Sequence, residues 1–158
     1  MAAKTWGILV LLSTAFYYSY SRQWMGQRKC SLLEELCDLL SWIQKNIECF
    51  TKPLDEICKD YSSPQLERCG FYRQWQTEGL LCAVEGLLYL PDAAKEVLLQ
   101  YGRTAGQGYK EEELRLCRYT HEQLSEILHK QKEDLSAKNR MYRTLPFLLV
   151  LSIVLLLY

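Results

Sequence analysis

Cys117 and His121 stand four residues apart, one turn of a helix, and are the pair in this chain best suited to chemistry. They could act as thiolate and base, or as two ligands to a metal. No third ligand accompanies them. The other cysteines are Cys30, Cys37, Cys49, Cys58, Cys69 and Cys82, which makes seven. There is no C-x-x-C pair, the short spacing that zinc sites use, and an odd number leaves one thiol over from any disulfide set. Cys37 lies beside Leu36 and Leu40, Cys82 beside Leu80 and Leu81, and Cys117 beside Leu116. This pattern reads as small buried apolar side chains in a reducing compartment. A disulfide framework and a Cys117–His121 site are its alternatives.

Three consecutive carboxylates, Glu111, Glu112 and Glu113, could serve as acids or bases, but they open a helix. There a carboxylate is favoured by the positive end of the helix dipole, and the structural role takes precedence. Gly102 to Gly108 reads G-R-T-A-G-Q-G. It lacks the G-K-[ST] ending of a phosphate loop and follows no strand, so it reads as a helix–helix connection with glycine caps. His121 and His129 fit a polar helix face. No nucleophile elbow, H-E-x-x-H or dinucleotide fingerprint is present. The expectation is a non-enzyme with no cofactor and no metal site. Trp42, Trp75, Tyr72 and Tyr89 are the candidates for buried anchors or contact residues.

The elements that would position these residues are helices. Leucine is abundant, β-branched residues are scarce, and Gly and Pro number only eight and four. Lysine plus arginine balance aspartate plus glutamate at 19 each, so no global field recruits nucleic acid. Two apolar runs flank the chain, Trp6 to Tyr20 and Leu145 to Tyr158. Each spans roughly 21–23 Å as helix, against about 30 Å of bilayer hydrocarbon. Trp6, Leu9, Leu11 and Phe16 on one side, and Leu145, Phe147, Leu149, Leu155 and Tyr158 on the other, are expected to sit in lipid. Tyr17, Tyr18, Tyr20 and Trp24 suit the aromatic belt. A cleavable signal peptide is the rival reading of the first run. Arg22, Arg28 and Lys29 follow that run, and Lys138, Arg140 and Arg143 precede the second, which places the middle in the cytoplasm.

Three parts are therefore expected: an anchor over 1–24, a cytoplasmic helical bundle over 25–143, and an anchor over 144–158. Within the bundle, Leu32, Leu33, Leu36, Leu39, Leu40, Ile43, Ile47 and Phe50 follow steps of three and four on one amphipathic helix. Thr51-Lys52-Pro53 ends it, and Pro53 and then Ser63-Pro64 open short helices. A helix over Gln76–Leu90 carries Leu80, Leu81, Val84, Leu87, Leu88 and Leu90; another runs from Ala93 to Tyr101. The last begins near Tyr109 with a stripe of Leu114, Cys117, Leu124, Ile127 and Leu128. Residues 129–143 form a charged helical stalk, whose sparse apolar groups a neighbouring subunit could cover.

The order of features carries a resemblance. An N-terminal apolar run precedes Thr51-Lys52-Pro53-Leu54 and Trp75; then come Tyr101-Gly102, Gly106-Gln107, a long helix and a terminal Leu-rich run. This layout resembles the stage III sporulation protein AB family, most specifically from Leu98 to Tyr158. Tyr109 stands where the family tends to carry an acidic residue, and Asn46 replaces a usual glutamate. The resemblance implies an all-α bundle similar to the F domain of type II secretion platforms. It further implies a component of the channel complex joining mother cell and forespore, in the mother-cell membrane that faces the forespore. A secretion-type cytoplasmic ATPase and sister channel subunits are the partners it implies, with a homo-oligomer possible. Trp42, Trp75, Tyr101, Gly102, Gly106 and Gln107 are the candidate core or interface residues. A secreted or lumenal disulfide-stabilised helical factor is the alternative function, and a membrane-bound enzyme using Cys117 and His121 a third.

Overall fold

The structure, a computed structural model, describes residues 2–49, 56–57 and 60–157. Among these residues it is all helix and turn, without a strand. The helices are α1 (Ala2–Cys49), α2 (Pro64–Arg68), α3 (Phe71–Glu78), α4 (Leu80–Glu85), α5 (Asp92–Thr104) and α6 (Lys110–Leu157). The segment that Pro53 is expected to open lies mostly outside the described residues.

Two compact units divide the chain: one made of residues 1–28 and 131–158, the other of residues 29–130. In the second unit the stripe read from the sequence is the core. Leu32, Leu33, Leu36, Leu39, Leu40 and Ile43 of α1 are buried, and they pack with Leu66, Phe71, Val84, Leu98, Cys117 and Leu124. Each such side chain taken from water contributes about 1.5–3 kcal/mol. Ile47 is partly buried, and Phe50 lies outside the described residues.

Ser63 caps α2: its hydroxyl accepts from Leu66 N at 3.5 Å, with Pro64 at the first helical position. The same hydroxyl donates to Glu35 Oε2 at 2.6 Å, and Ser31 and Gln65 exchange hydrogen bonds of 2.6 and 3.0 Å. These bonds fix α2 on the polar edge of the α1 stripe.

The single helix expected over Gln76–Leu90 is corrected to two. Gly79 takes φ 89° and ψ 172°, which no helical residue adopts, and it separates α3 from α4. Helix α4 ends at Glu85, and Leu87 and Leu90 reach the core from the turn that follows, while Leu88 in the same turn is 89% exposed. Lys95 Nζ donates to Glu85 O at 2.9 Å and closes the end of α4.

In the first unit, the parts of α1 and α6 that carry the apolar runs are helical in backbone. Among the described residues no helix is long and apolar enough to cross a membrane. The side chains of Trp6, Leu9, Leu11, Phe16, Leu145, Phe147, Leu149 and Leu155, and the whole of Tyr158, lie outside the described residues. Gly26 lies directly against the Leu135 side chain. Leu135, one of the few apolar groups of the charged stretch, thus finds a partner within its own chain.

Candidate functional site

The residues singled out from Tyr101 to Gln107 lead into the turn between α5 and α6, where Glu112 and Glu113 bond to the backbone. Tyr101 is buried at 2% exposure near the end of α5. Gly102 lies close to α4: a Cβ there would meet Leu81 Cδ2 at 3.1 Å and Leu80 Cδ2 at 3.4 Å, so both leucine tips would have to shift by a few tenths of an ångström. The absence of a side chain lets α5 approach α4. Gly106 takes φ 82°, the left-handed region, with open space around it. Its role is to turn the backbone.

The helix ends that meet here are closed by polar bonds. At the end of α5, Thr104 Oγ1 donates to Gln100 O at 3.1 Å, Ala105 N to Tyr101 O at 2.8 Å, and Gln107 Nε2 to Arg103 O at 3.0 Å. At the start of α6, Glu113 Oε1 accepts from Gly106 N at 2.7 Å and Gly108 N at 3.0 Å. Glu112 Oε2 accepts a longer bond, 3.4 Å, from Tyr109 N, the returning arm of a capping box. The departure to tyrosine at position 109 leaves this cap intact, because the bond uses its backbone. Asn46 likewise bonds within its helix, Nδ2 donating to Trp42 O at 2.9 Å.

Cys117 lies one turn beyond, wholly buried, its Sγ donating to Leu40 O at 3.3 Å. Burial pushes the thiol up to about 11, although a hydrogen bond with Tyr101 pulls the other way. Such a group stays protonated near neutral pH and is a poor nucleophile. His121 on the same helix is half-buried and His129 is exposed. Among the described residues, no three His, Cys, Asp or Glu side chains are placed to hold a metal.

No described cysteine is in a disulfide. Cys30, Cys37 and Cys117 are buried as small apolar groups, but Cys49, Cys69 and Cys82 are exposed, which corrects the expectation that the leucine neighbours would bury Cys82. Cys58 lies outside the described residues. Trp75 is buried, edge-on to Phe71 at 5.5 Å. Trp42 is 37% exposed, and its Nε1 donates to Ile57 O at 3.3 Å.

Sequence reasoning missed two features. Lys110 Nζ donates to Glu48 O at 2.9 Å, supplying the cation that the last turn of α1 lacks. Their separation of 62 residues left no signal in the sequence. Beside the turn lies an open groove of about 570 Å³, lined by Gln107, Glu112, Arg115 and Tyr119 among others. Tyr109 and Tyr119 are exposed at 85% and 57%.

From residue 4 to residue 158 the sequence matches the family model described as stage III sporulation protein AB. The chain belongs to this family. Membership gives it a role at stage III of sporulation. No curated protein and no solved structure matches it. In this member of the stage III sporulation protein AB family, Gly106 and Gln107 belong to the turn between α5 and α6, while Gly102 faces α4.

Proposed function

We propose that the protein is a non-enzymatic, membrane-anchored platform component of a secretion-like channel complex between mother cell and forespore. Both apolar ends cross the mother-cell membrane that faces the forespore, as extensions of α1 and α6, and the helical unit over 29–130 lies in the cytoplasm. A secretion-type cytoplasmic ATPase and sister channel subunits dock on that unit, and the exposed aromatics Tyr109 and Tyr119 serve as contact residues. No catalysis is assigned to it.

The observation that carries this reading is the unbroken run of α1 and α6 from the bundle into the apolar ends. From Ala2 to Trp24 the helix rises about 33 Å, enough for a ~30 Å hydrocarbon core, although the strictly apolar stretch is shorter. Three of the residues singled out for chemistry have structural roles. Glu112 and Glu113 accept backbone N–H groups, and Cys117 is a buried, protonated thiol.

Carbonate washing of isolated membranes tests the anchors: the chain is expected to stay in the pellet, and full release into the supernatant contradicts the proposal. Sidedness is read with a membrane-impermeant maleimide. Cys49, Cys69 and Cys82 are expected to label only after lysis. Labelling in intact cells overturns the cytoplasmic assignment.

A further inference from the structure

Within the unit formed by the chain's two ends, one face of α1 is neither apolar nor simply charged. Tyr17, Tyr20 and Trp24 are exposed at 76%, 65% and 49%. With Arg28 they follow steps of three, four and four, which holds all four within an arc of about 80° on a helix of 3.6 residues per turn. The Arg28 guanidinium carbon sits 3.5 Å from the centre of the Trp24 ring. Stacking of this kind uses the face of the guanidinium and leaves its edge, where the N–H donors lie, turned away from the ring. That edge is the fork that grips a phosphate bidentately.

The rise along the helix matches the layers of a bilayer surface. Trp24 and Arg28 are separated by about 6 Å, and a headgroup layer is about 5–8 Å deep. Tyr20 lies roughly 6 Å below Trp24, toward the apolar run. A tryptophan at the hydrocarbon boundary, with an arginine one turn above it, places the guanidinium at phosphate depth. We propose that the Trp24–Arg28 stack is a binding site for the headgroup phosphate of an anionic phospholipid and fixes the depth at which α1 enters the membrane. The inference rests on the membrane-anchored reading above.

The full chain reconstituted in phosphatidylcholine vesicles, with trace spin-labelled phosphatidylglycerol or phosphatidylcholine, tests the site. The native protein is expected to immobilise the phosphatidylglycerol label about three- to fivefold more than the phosphatidylcholine label, the scale set by one basic group at a lipid surface. Arg28→Gln and Trp24→Leu should each remove more than half of the preference, the remainder coming from the other basic residues beside the apolar runs, and Lys29→Gln, one residue on, should keep more than half of it. An unchanged ratio in Arg28→Gln, or an equal loss in Lys29→Gln, overturns the site while the protein remains anchored. Release of the native protein from the vesicles by carbonate overturns the anchor itself, and the site with it.

Discussion

Replacing Glu113 by alanine removes the carboxylate that accepts both glycine amides of the α5–α6 turn. Its Oε1 accepts two backbone donors, Gly106 N at 2.7 Å and Gly108 N at 3.0 Å. Both bonds are solvent-exposed, so water regains much of what the carboxylate gives up. The appropriate scale is that of an N-terminal cap, about 0.5–2 kcal/mol. Loss of a negative charge from the start of a helix adds about 0.3–1 kcal/mol. Glu113→Ala should therefore cost about 1–2 kcal/mol. Glu113→Gln keeps an acceptor and loses only the charge, so it should cost less than half as much. In a unit of about 100 residues, 1 kcal/mol lowers the melting temperature by about 4–8 °C. Circular dichroism at the helical band measures the shift in detergent-solubilised full chain, and amide exchange locates it. The Gly106 and Gly108 amides should exchange slowly in the native chain and at least tenfold faster in Glu113→Ala. Equal rates for these two amides in both proteins would refute the reasoning, even if the variant were less stable.

Gly106→Ala forces a side chain into the left-handed region without a clash, so it should destabilise by about 1–2 kcal/mol in thermal melts. Gly79→Ala should cost more, because φ 89° with ψ 172° lies outside even that region. Leu33→Ala, in the wholly buried stripe of α1, should cost about 2–5 kcal/mol by denaturant titration. Cys117 supplies a pH dependence: its folded thiol is raised from 9 to about 11, so the unfolded chain loses this proton first as pH rises. Stability should fall between pH 9 and 11, by up to about 1.4 kcal/mol per pH unit, and the difference between native protein and Cys117→Ala isolates this contribution. At pH 8, maleimide should modify Cys49, Cys69 and Cys82 within minutes and leave Cys117 untouched until the chain unfolds.

What could be read in advance depended on whether a signal was local. The α1 stripe from Leu32 to Ile43 obeys one uninterrupted period, and Ser63-Pro64 is a cap written in adjacent residues; both were legible. The sequence alone reads as one helix over Gln76–Leu90 because its leucines are dense enough to satisfy a helical period across Gly79. A glycine in a helical pattern does not by itself announce a break; the backbone angles do. The glycine turn was recognised as a connection, yet its two glycines act for different reasons. Gly106 serves through its angle, and Gly102 through its closeness to the tip of Leu81, which lies twenty-one residues earlier. Only the first reason is local. The long-range closures, Lys110 to Glu48 O and Cys117 to Leu40 O, pair residues 62 and 77 positions apart, and no periodicity reports them.

The nature of the α5–α6 turn bears on what this family member does. Glu113 accepts two amide protons through Oε1, which ties the turn backbone to the first turn of α6. A catalytic thiol needs access and a lowered pKa, and Cys117 has neither. Gln107, inside the run that carries the family resemblance, closes a helix end. Every polar group in that run which the turn uses is directed at backbone, so what the sequence maintains there is an angle between two helices. An angle matters when a surface has to be presented. Tyr119, which lines the groove, and the exposed Tyr109 are the kind of side chain that supplies contact area at small entropic cost. Tyr119→Ala should therefore leave the melting temperature within about 2 °C of native and still weaken co-purification of the secretion-type ATPase proposed above as a partner several-fold. Gly106→Ala should weaken it through the angle, with Tyr119 in place. If both variants co-purify the partner as well as the native chain does, the turn serves stability alone and the docking surface lies elsewhere on the helical unit.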